Sequence, residues 1–171
     1  MTQYSELLRV LQQADVRFIV VGGVAGIGHG SARFTQDVDV VYDRSRENVR
    51  RLVDALRSLS PYPRGAPSGL PFIWDETTIL NGLNFTLTTD LGALDVLGEI
   101  IGGGGFDDLF PHSTEVELFN QHHRLLDLPT LIRVKRAAGR PKDFEAIAEL
   151  EALLEERQAA GFDAPENNPP L

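Results

Sequence analysis

Two aspartates one residue apart, Asp37 and Asp39, open the apolar run DVDVVY, and a third, Asp95, lies inside another, LGALDVLG. Strand side chains alternate faces with a period of two, so Asp37 and Asp39 point the same way while Val38, Val40 and Val41 find apolar neighbours. Paired carboxylates suit a hard divalent cation such as Mg²⁺, which prefers oxygen ligands, keeps several waters and shares its shell with substrate phosphates. Just upstream, Gly22 and Gly23 follow the run FIVV and put no side chain in the way of a triphosphate approaching the backbone amides. Carboxylates beside such a turn point to phosphoryl or nucleotidyl transfer. Asp-x-Asp also occurs at strand ends with no metal, so the surrounding residues must decide. An acid inside an apolar strand, as at Asp95, is costly unless it is liganded or paired with a cation such as an arginine.

The elements that hold these groups follow from periodicity. Phe18–Val21 reads as a buried strand, 24–30 as a short helix weakened by Gly26 and Gly28, and Asp37 as the start of a second strand. Before them, Tyr4, Leu7, Leu8 and Leu11 fall at helical spacing, giving a helix over 2–14 that Thr2 can cap. After them, Ser45 caps a helix whose stripe of Val49, Leu52, Val53 and Leu56 faces the core. Arg46, Arg50 and Arg57 line the neighbouring stripe, either a solvated edge or a contact for an RNA backbone.

Pro61, Pro63, Pro67 and Pro71, with Gly65 and Gly69, make 58–71 a loop in which Tyr62 and Arg64 could shape a substrate entrance. Strands are expected at 72–74, 83–88 and 93–97, the last two as a hairpin. The glycines at 102–105 read as a flexible lid or hinge and not as a phosphate-binding loop, because Phe106, Asp107 and Asp108 follow them. A second hairpin is expected over 115–119 and 123–126. After Pro129 comes a helix ended by Gly139, and Pro141 opens another with Phe144, Ile147, Leu150 and Leu154 on its buried stripe. His29 reads as a cap or a phosphate contact. His112, His122 and His123 lack metal-ligand spacing.

With Gly-Gly after an apolar strand, then Arg33 and Thr35, then Asp-Val-Asp-Val, residues 20–41 resemble the signature of the DNA polymerase beta-like nucleotidyltransferase superfamily. The likeness is strongest to the branch of AbiEii-like toxin and small antibiotic nucleotidyltransferases. It implies an α/β domain: a small mixed sheet flanked by helices and closed by a C-terminal helical hairpin. It also implies that Asp95 joins Asp37 and Asp39 as a catalytic metal ligand for one or two Mg²⁺. Gly22, Gly23, Arg33 and Thr35 then face a nucleoside triphosphate. The words KRAAGRPKDFEAI are similar to the C-terminal helices of AbiEii-like proteins, which makes Lys135, Lys142 and Asp143 further nucleotide contacts; a charge cluster at a helix start is the competing reading. The expected activity is transfer of a nucleoside monophosphate to an acceptor hydroxyl. The acceptor is tRNA or another RNA if the arginine stripe is a phosphate track, and an antibiotic or a protein side chain if it is not; a toxin of this kind would have a cognate antitoxin. A non-catalytic nucleotide-binding or regulatory module is the alternative, disfavoured by the presence of all three carboxylates.

A dinucleotide-binding, dehydrogenase-like domain competes for the same residues, with Gly22, Gly26 and Gly28 as its glycine turn and Asp43 as its ribose acid. No Tyr-x-x-x-Lys accompanies them. The chain of 171 residues is the size of one domain, expected over 1–157, with a disordered tail over 158–171. It has no cysteine, which excludes disulfides, thiolate zinc sites and cysteine nucleophiles. No apolar run approaches the roughly 18 residues needed to cross a membrane, and the N-terminus has no signal-peptide pattern, so a cytoplasmic protein is expected. The formal charge of −9 argues against a general nucleic-acid coat.

Overall fold

The computed structural model describes residues 1–161. Its elements are α1 (Tyr4–Gln13), β1 (Phe18–Val21), α2 (Gly22–Gly28), β2 (Asp37–Tyr42), α3 (Arg46–Arg57), β3 (Tyr62–Pro63), α4 (Glu76–Asn81), β4 (Asn84–Thr89), β5 (Gly92–Leu97), β6 (Glu99–Ile100), β7 (Gly104–Gly105), α5 (Phe106–Leu109), β8 (Ser113–Leu118), β9 (Gln121–Leu126), α6 (Leu128–Ala138) and α7 (Asp143–Ala159). Seven strands form one mixed sheet in the order β3-β4-β5-β2-β1-β9-β8, and β6 with β7 makes a separate small ribbon. β2 runs parallel to β5 and β1 parallel to β9; the other pairings are antiparallel.

The two-residue period sorts the central strands as expected. Val38 and Val40 of β2 and Leu94 and Val96 of β5 are fully buried, while Asp37, Asp39 and Asp95 occupy the alternate positions and are half-buried. Leu7, Leu8 and Leu11 of α1 and Val49, Leu52, Val53 and Leu56 of α3 complete that core. Each such leucine stabilises the fold by about 1.5–3 kcal/mol relative to exposure. Truncating Leu52 to alanine would cost about 2–5 kcal/mol. Side-chain caps fix the helix starts: Ser45 accepts from Asn48 N at 3.4 Å, Asp127 from Thr130 N at 2.8 Å and Asp75 from Thr78 N at 2.7 Å. Gly139, at φ +63°, ends α6, and α7 folds back against it as the expected helical hairpin. Among the described residues no helix is long and apolar enough to cross a membrane.

Several expectations are corrected. Thr2 does not cap α1; its hydroxyl donates to Gln36 O at 2.6 Å and accepts from Ala93 N at 3.2 Å, tying the chain start to the entries of β2 and β5. The segment 72–74 is not a strand but leads into α4, and Tyr62–Pro63 leaves the proline-rich loop to pair with β4. The glycines at 102–105 include the second strand of the β6–β7 ribbon, and a Cβ on Gly102 would overlap Ala137 of α6. Phe144 is 65% exposed, and the buried positions of α7 are instead Asp143, Ile147 and Leu150. α7 continues through Ala159, past the domain limit expected at 157, and the rest of the expected tail beyond 161 lies outside the described residues.

The dinucleotide-binding alternative is overturned by topology. That fold needs β1 and the next strand parallel, joined by a crossover helix. Here β1 and β2 are antiparallel, with Phe18 opposite Tyr42 and Val21 opposite Asp39. Asp43, its ribose acid, is held by Arg17 at 2.6 Å and by Ser45 N at 2.9 Å.

Candidate active site

Strand register brings the carboxylates together. Asp39 pairs with Asp95 across the parallel β2–β5 ladder, and Asp37 precedes Asp39 by one pleat on the same face. Ligand oxygens of all three lie within 4.8 Å of one another, and among the described residues they are the one such group of metal-binding side chains. The alternative offered for Asp95, an arginine partner, is present as well. Arg64 Nη2 lies 2.7 Å from Asp95 Oδ1 and 3.4 Å from Asp37 Oδ2.

The glycine turn is compressed into the first residues of α2. Gly22 adopts φ +64°, and a Cβ there would overlap the Asp39 carboxylate; a Cβ on Gly23 would collide with the Thr35 side chain. Gly22 therefore keeps the backbone against the Asp39 carboxylate and Gly23 keeps it against Thr35, and at Gly22 the left-handed conformation adds to the demand for glycine. Thr35 buttresses Asp37: its hydroxyl lies 3.3 Å from Asp37 Oδ1 and from Asp37 O, and its own carbonyl accepts from the Tyr4 hydroxyl.

A cleft of about 750 Å³ gathers these groups with the start of the C-terminal hairpin. Gly22, Gly23, Arg33, Thr35, Lys135, Lys142 and Asp143 all line it beside the three aspartates. Arg33 reaches Glu145 of α7 at 3.1 Å on the exposed rim. Asp143 is buried and meets Arg140 at 2.6 Å and Lys135 at 3.6 Å, so Lys135 and Asp143 come together across α6 and α7. Arg140, which also lines the cleft, was not singled out from the sequence; its spacing of three residues from Asp143 is the signal that could have found it. His29 is structural: it is buried, with Nε2 2.6 Å from Leu126 O and Arg157 donating to its carbonyl at 2.9 Å.

Burial, and then the neighbouring charges of Asp37 and Asp95, push the Asp39 carboxyl up to about 7. Burial also raises Asp95, although the guanidinium of Arg64 opposes it. Burial pushes Asp143 upward too, but hydrogen bonds from Arg140 and the positive charge around it prevail and hold it below the usual carboxylate range. The three facing aspartates thus form an oxygen-rich site in which one carboxylate is proton-hungry at neutral pH. That donor set fits a hard divalent cation, whose charge would relieve the repulsion.

No protein-family model and no curated protein matches the sequence. Solved structures do resemble the fold. A lincosamide antibiotic adenylyltransferase bound to lincomycin superposes with a TM-score of 0.59 at 13% identity, over 87% of this chain and 94% of its own. A candidate nucleotidyltransferase from Thermotoga maritima superposes with a TM-score of 0.50 at 18% identity, over 92% of this chain and 97% of its own. At these identities the likeness is one of architecture, and the chain has the mixed α/β fold of the nucleotidyltransferases.

Proposed function

We propose that the protein transfers a nucleoside monophosphate from a nucleoside triphosphate to an acceptor hydroxyl. The observation that carries this reading is the convergence of Asp37, Asp39 and Asp95 within 4.8 Å of one another beside the Gly22–Gly23 backbone. Asp37, Asp39 and Asp95 would hold Mg²⁺, which supplies charge neutralisation for the triphosphate. Gly22 and Gly23 admit the phosphates to the backbone, and Arg33, Lys135 and Lys142 line the same cleft with positive charge. Asp95, which faces the same cleft, takes the proton of the acceptor hydroxyl. The acceptor oxygen forms a bond to the α-phosphorus, the bond from that phosphorus to the bridging oxygen breaks, and pyrophosphate leaves with the electron pair.

The acceptor is a compact hydroxylated molecule with an apolar body. The cleft lining that holds Asp95 also includes Leu97, Ile100, Ile101 and Val134, with Asn84, Thr86 and Glu99 among its polar groups. Such a surface offers both polar and apolar contacts to a small acceptor, and the neighbour of like fold holds lincomycin. A phosphate track for RNA is poorly supported. Arg50 pairs with Glu76 at 3.5 Å and Arg57 with Asp54 at 3.1 Å, and neither they nor Arg46 line the cleft. The test is incubation with Mg²⁺ and each labelled triphosphate, in parallel with hydroxylated antibiotics and with total RNA. Label is expected on a small acceptor; label on RNA alone would return tRNA as the acceptor, and label on neither would remove the transferase reading.

A further inference from the structure

Arg64 is anchored on the edge of the sheet but works at its centre. Its backbone N–H donates to Thr86 O at 2.9 Å, and Thr86 is the residue paired with Asp95 across the β4–β5 ladder. From there the side chain crosses β4, and the same Nη2 reaches Asp95 Oδ1 at 2.7 Å and Asp37 Oδ2 at 3.4 Å. Both oxygens belong to carboxylates of the trio that would hold a divalent cation. A guanidinium and a metal cannot draw on the same lone pairs at once, and two cations within a few ångströms repel strongly in a half-buried site. Yet the guanidinium cannot simply be expelled. Its side chain is only 31% exposed, and a partly buried charge stripped of its partners is costly unless another anion replaces them.

The nucleotide brings such an anion into the same cleft. We propose that Arg64 is a positioning residue that neutralises Asp37 and Asp95 while the site holds no metal and exchanges them for the triphosphate as metal and nucleotide enter. The proposal rests on the transferase reading of the site. It has a thermodynamic signature, because metal alone must displace Arg64 without compensation, whereas metal with nucleotide does not. Metal and nucleotide therefore bind with positive coupling, and Arg64 is the source of that coupling.

The probe is Mn²⁺ titrated into the whole protein and followed by electron paramagnetic resonance and calorimetry, with and without an α,β-methylene triphosphate analogue. In Arg64→Gln, Mn²⁺ alone should bind about tenfold or more tighter than in wild type, and the gain in Mn²⁺ affinity caused by the analogue should shrink by a similar factor. Arg64→Lys keeps the charge but offers a single ammonium, so its Mn²⁺ affinity should fall between the two, and it serves as the test should the glutamine variant not fold. Equal or weaker Mn²⁺ binding in both variants, or an unchanged coupling factor, overturns the role of Arg64 and leaves the transferase reading standing. Mn²⁺ binding that survives Asp39→Asn undiminished, or no Mn²⁺ binding to any form even with the analogue, overturns the metal reading and this proposal with it.

Discussion

Asp39 and Asp95 face each other across the parallel β2–β5 ladder, and Gly22, the first residue of α2 directly after β1, yields the space the Asp39 carboxylate occupies. Two strands and a helix start thus meet at one carboxylate. Burial and two neighbouring acids act on it together, and its ionisation links the site to the stability of the fold.

Below about pH 4 Asp39 is protonated in the folded and unfolded chains alike and affects stability little. As pH rises towards about 7 only the unfolded chain releases its proton, so stability drains away until the folded carboxyl also ionises, after which the loss is constant. Each tenfold difference in proton affinity between the folded and unfolded carboxyl corresponds to about 1.4 kcal/mol of that loss. Without divalent metal, Asp39→Asn should therefore melt above wild type at pH 7.5, and the gap should close near pH 4. Mg²⁺ should raise the wild-type melting temperature and leave the variant unmoved. Thermal melts across this range check both statements.

Gly22→Ala should damage the site more than the fold. The new Cβ meets the Asp39 carboxylate, and the backbone must keep φ +64°. The expected destabilisation is on the order of 1 kcal/mol, whereas displacement of a metal ligand should lower kcat/KM by about a hundredfold or more. A variant with wild-type transfer would show that the close approach of Gly22 has no role in positioning Asp39.

Asp95→Asn removes a base and a charge at nearly constant shape. The rate of transfer should fall by about 10² to 10⁴. Fluorescence titration with a labelled triphosphate should still show nucleotide binding, since Gly22, Gly23, Lys135 and Lys142 are untouched. Full activity in the folded variant would exclude Asp95 from the chemistry.

The carboxylates were legible because strand periodicity alone assigns Asp37 and Asp39 to one face. What periodicity cannot supply is register between distant strands, and so the pairing of Asp39 with Asp95 needed the folded sheet. The position of Arg64 was hidden for a related reason. Prolines and glycines announced a loop, but Tyr62–Pro63 joins β4 through a pairing too short to leave a pattern, and only that pairing aims Arg64 at the acids. Helix α4 was masked by Thr77, Thr78 and Ile79, which favour strands, until the Asp75 cap and the burial of Ile79 outweighed them. At 102–105 the glycines that read as a flexible segment also meet close neighbours, Gly102 against Ala137 of α6 and Gly104 against Asp108 of α5.

The acceptor reading makes opposite demands on two surfaces, which one pair of variants separates. Ile101 is 70% exposed and lines the cleft, so Ile101→Asp removes apolar contact and adds charge where the acceptor should lie while disturbing little of the core. The expected result is an acceptor KM raised about tenfold or more, with the triphosphate KM nearly unchanged, because an interaction lost with one substrate appears in that substrate's constant. Arg46→Glu with Arg50→Glu reverses charge on α3, outside the cleft lining, and should leave labelling of a small acceptor unaltered. A polynucleotide acceptor would respond in the other sense. Reversed charges along its track would suppress labelling steeply and make it more sensitive to salt, whereas a single exposed isoleucine would matter little. Loss of transfer in the double reversal with none in Ile101→Asp would therefore move the acceptor from the cleft that Ile101 lines to the arginine face of α3.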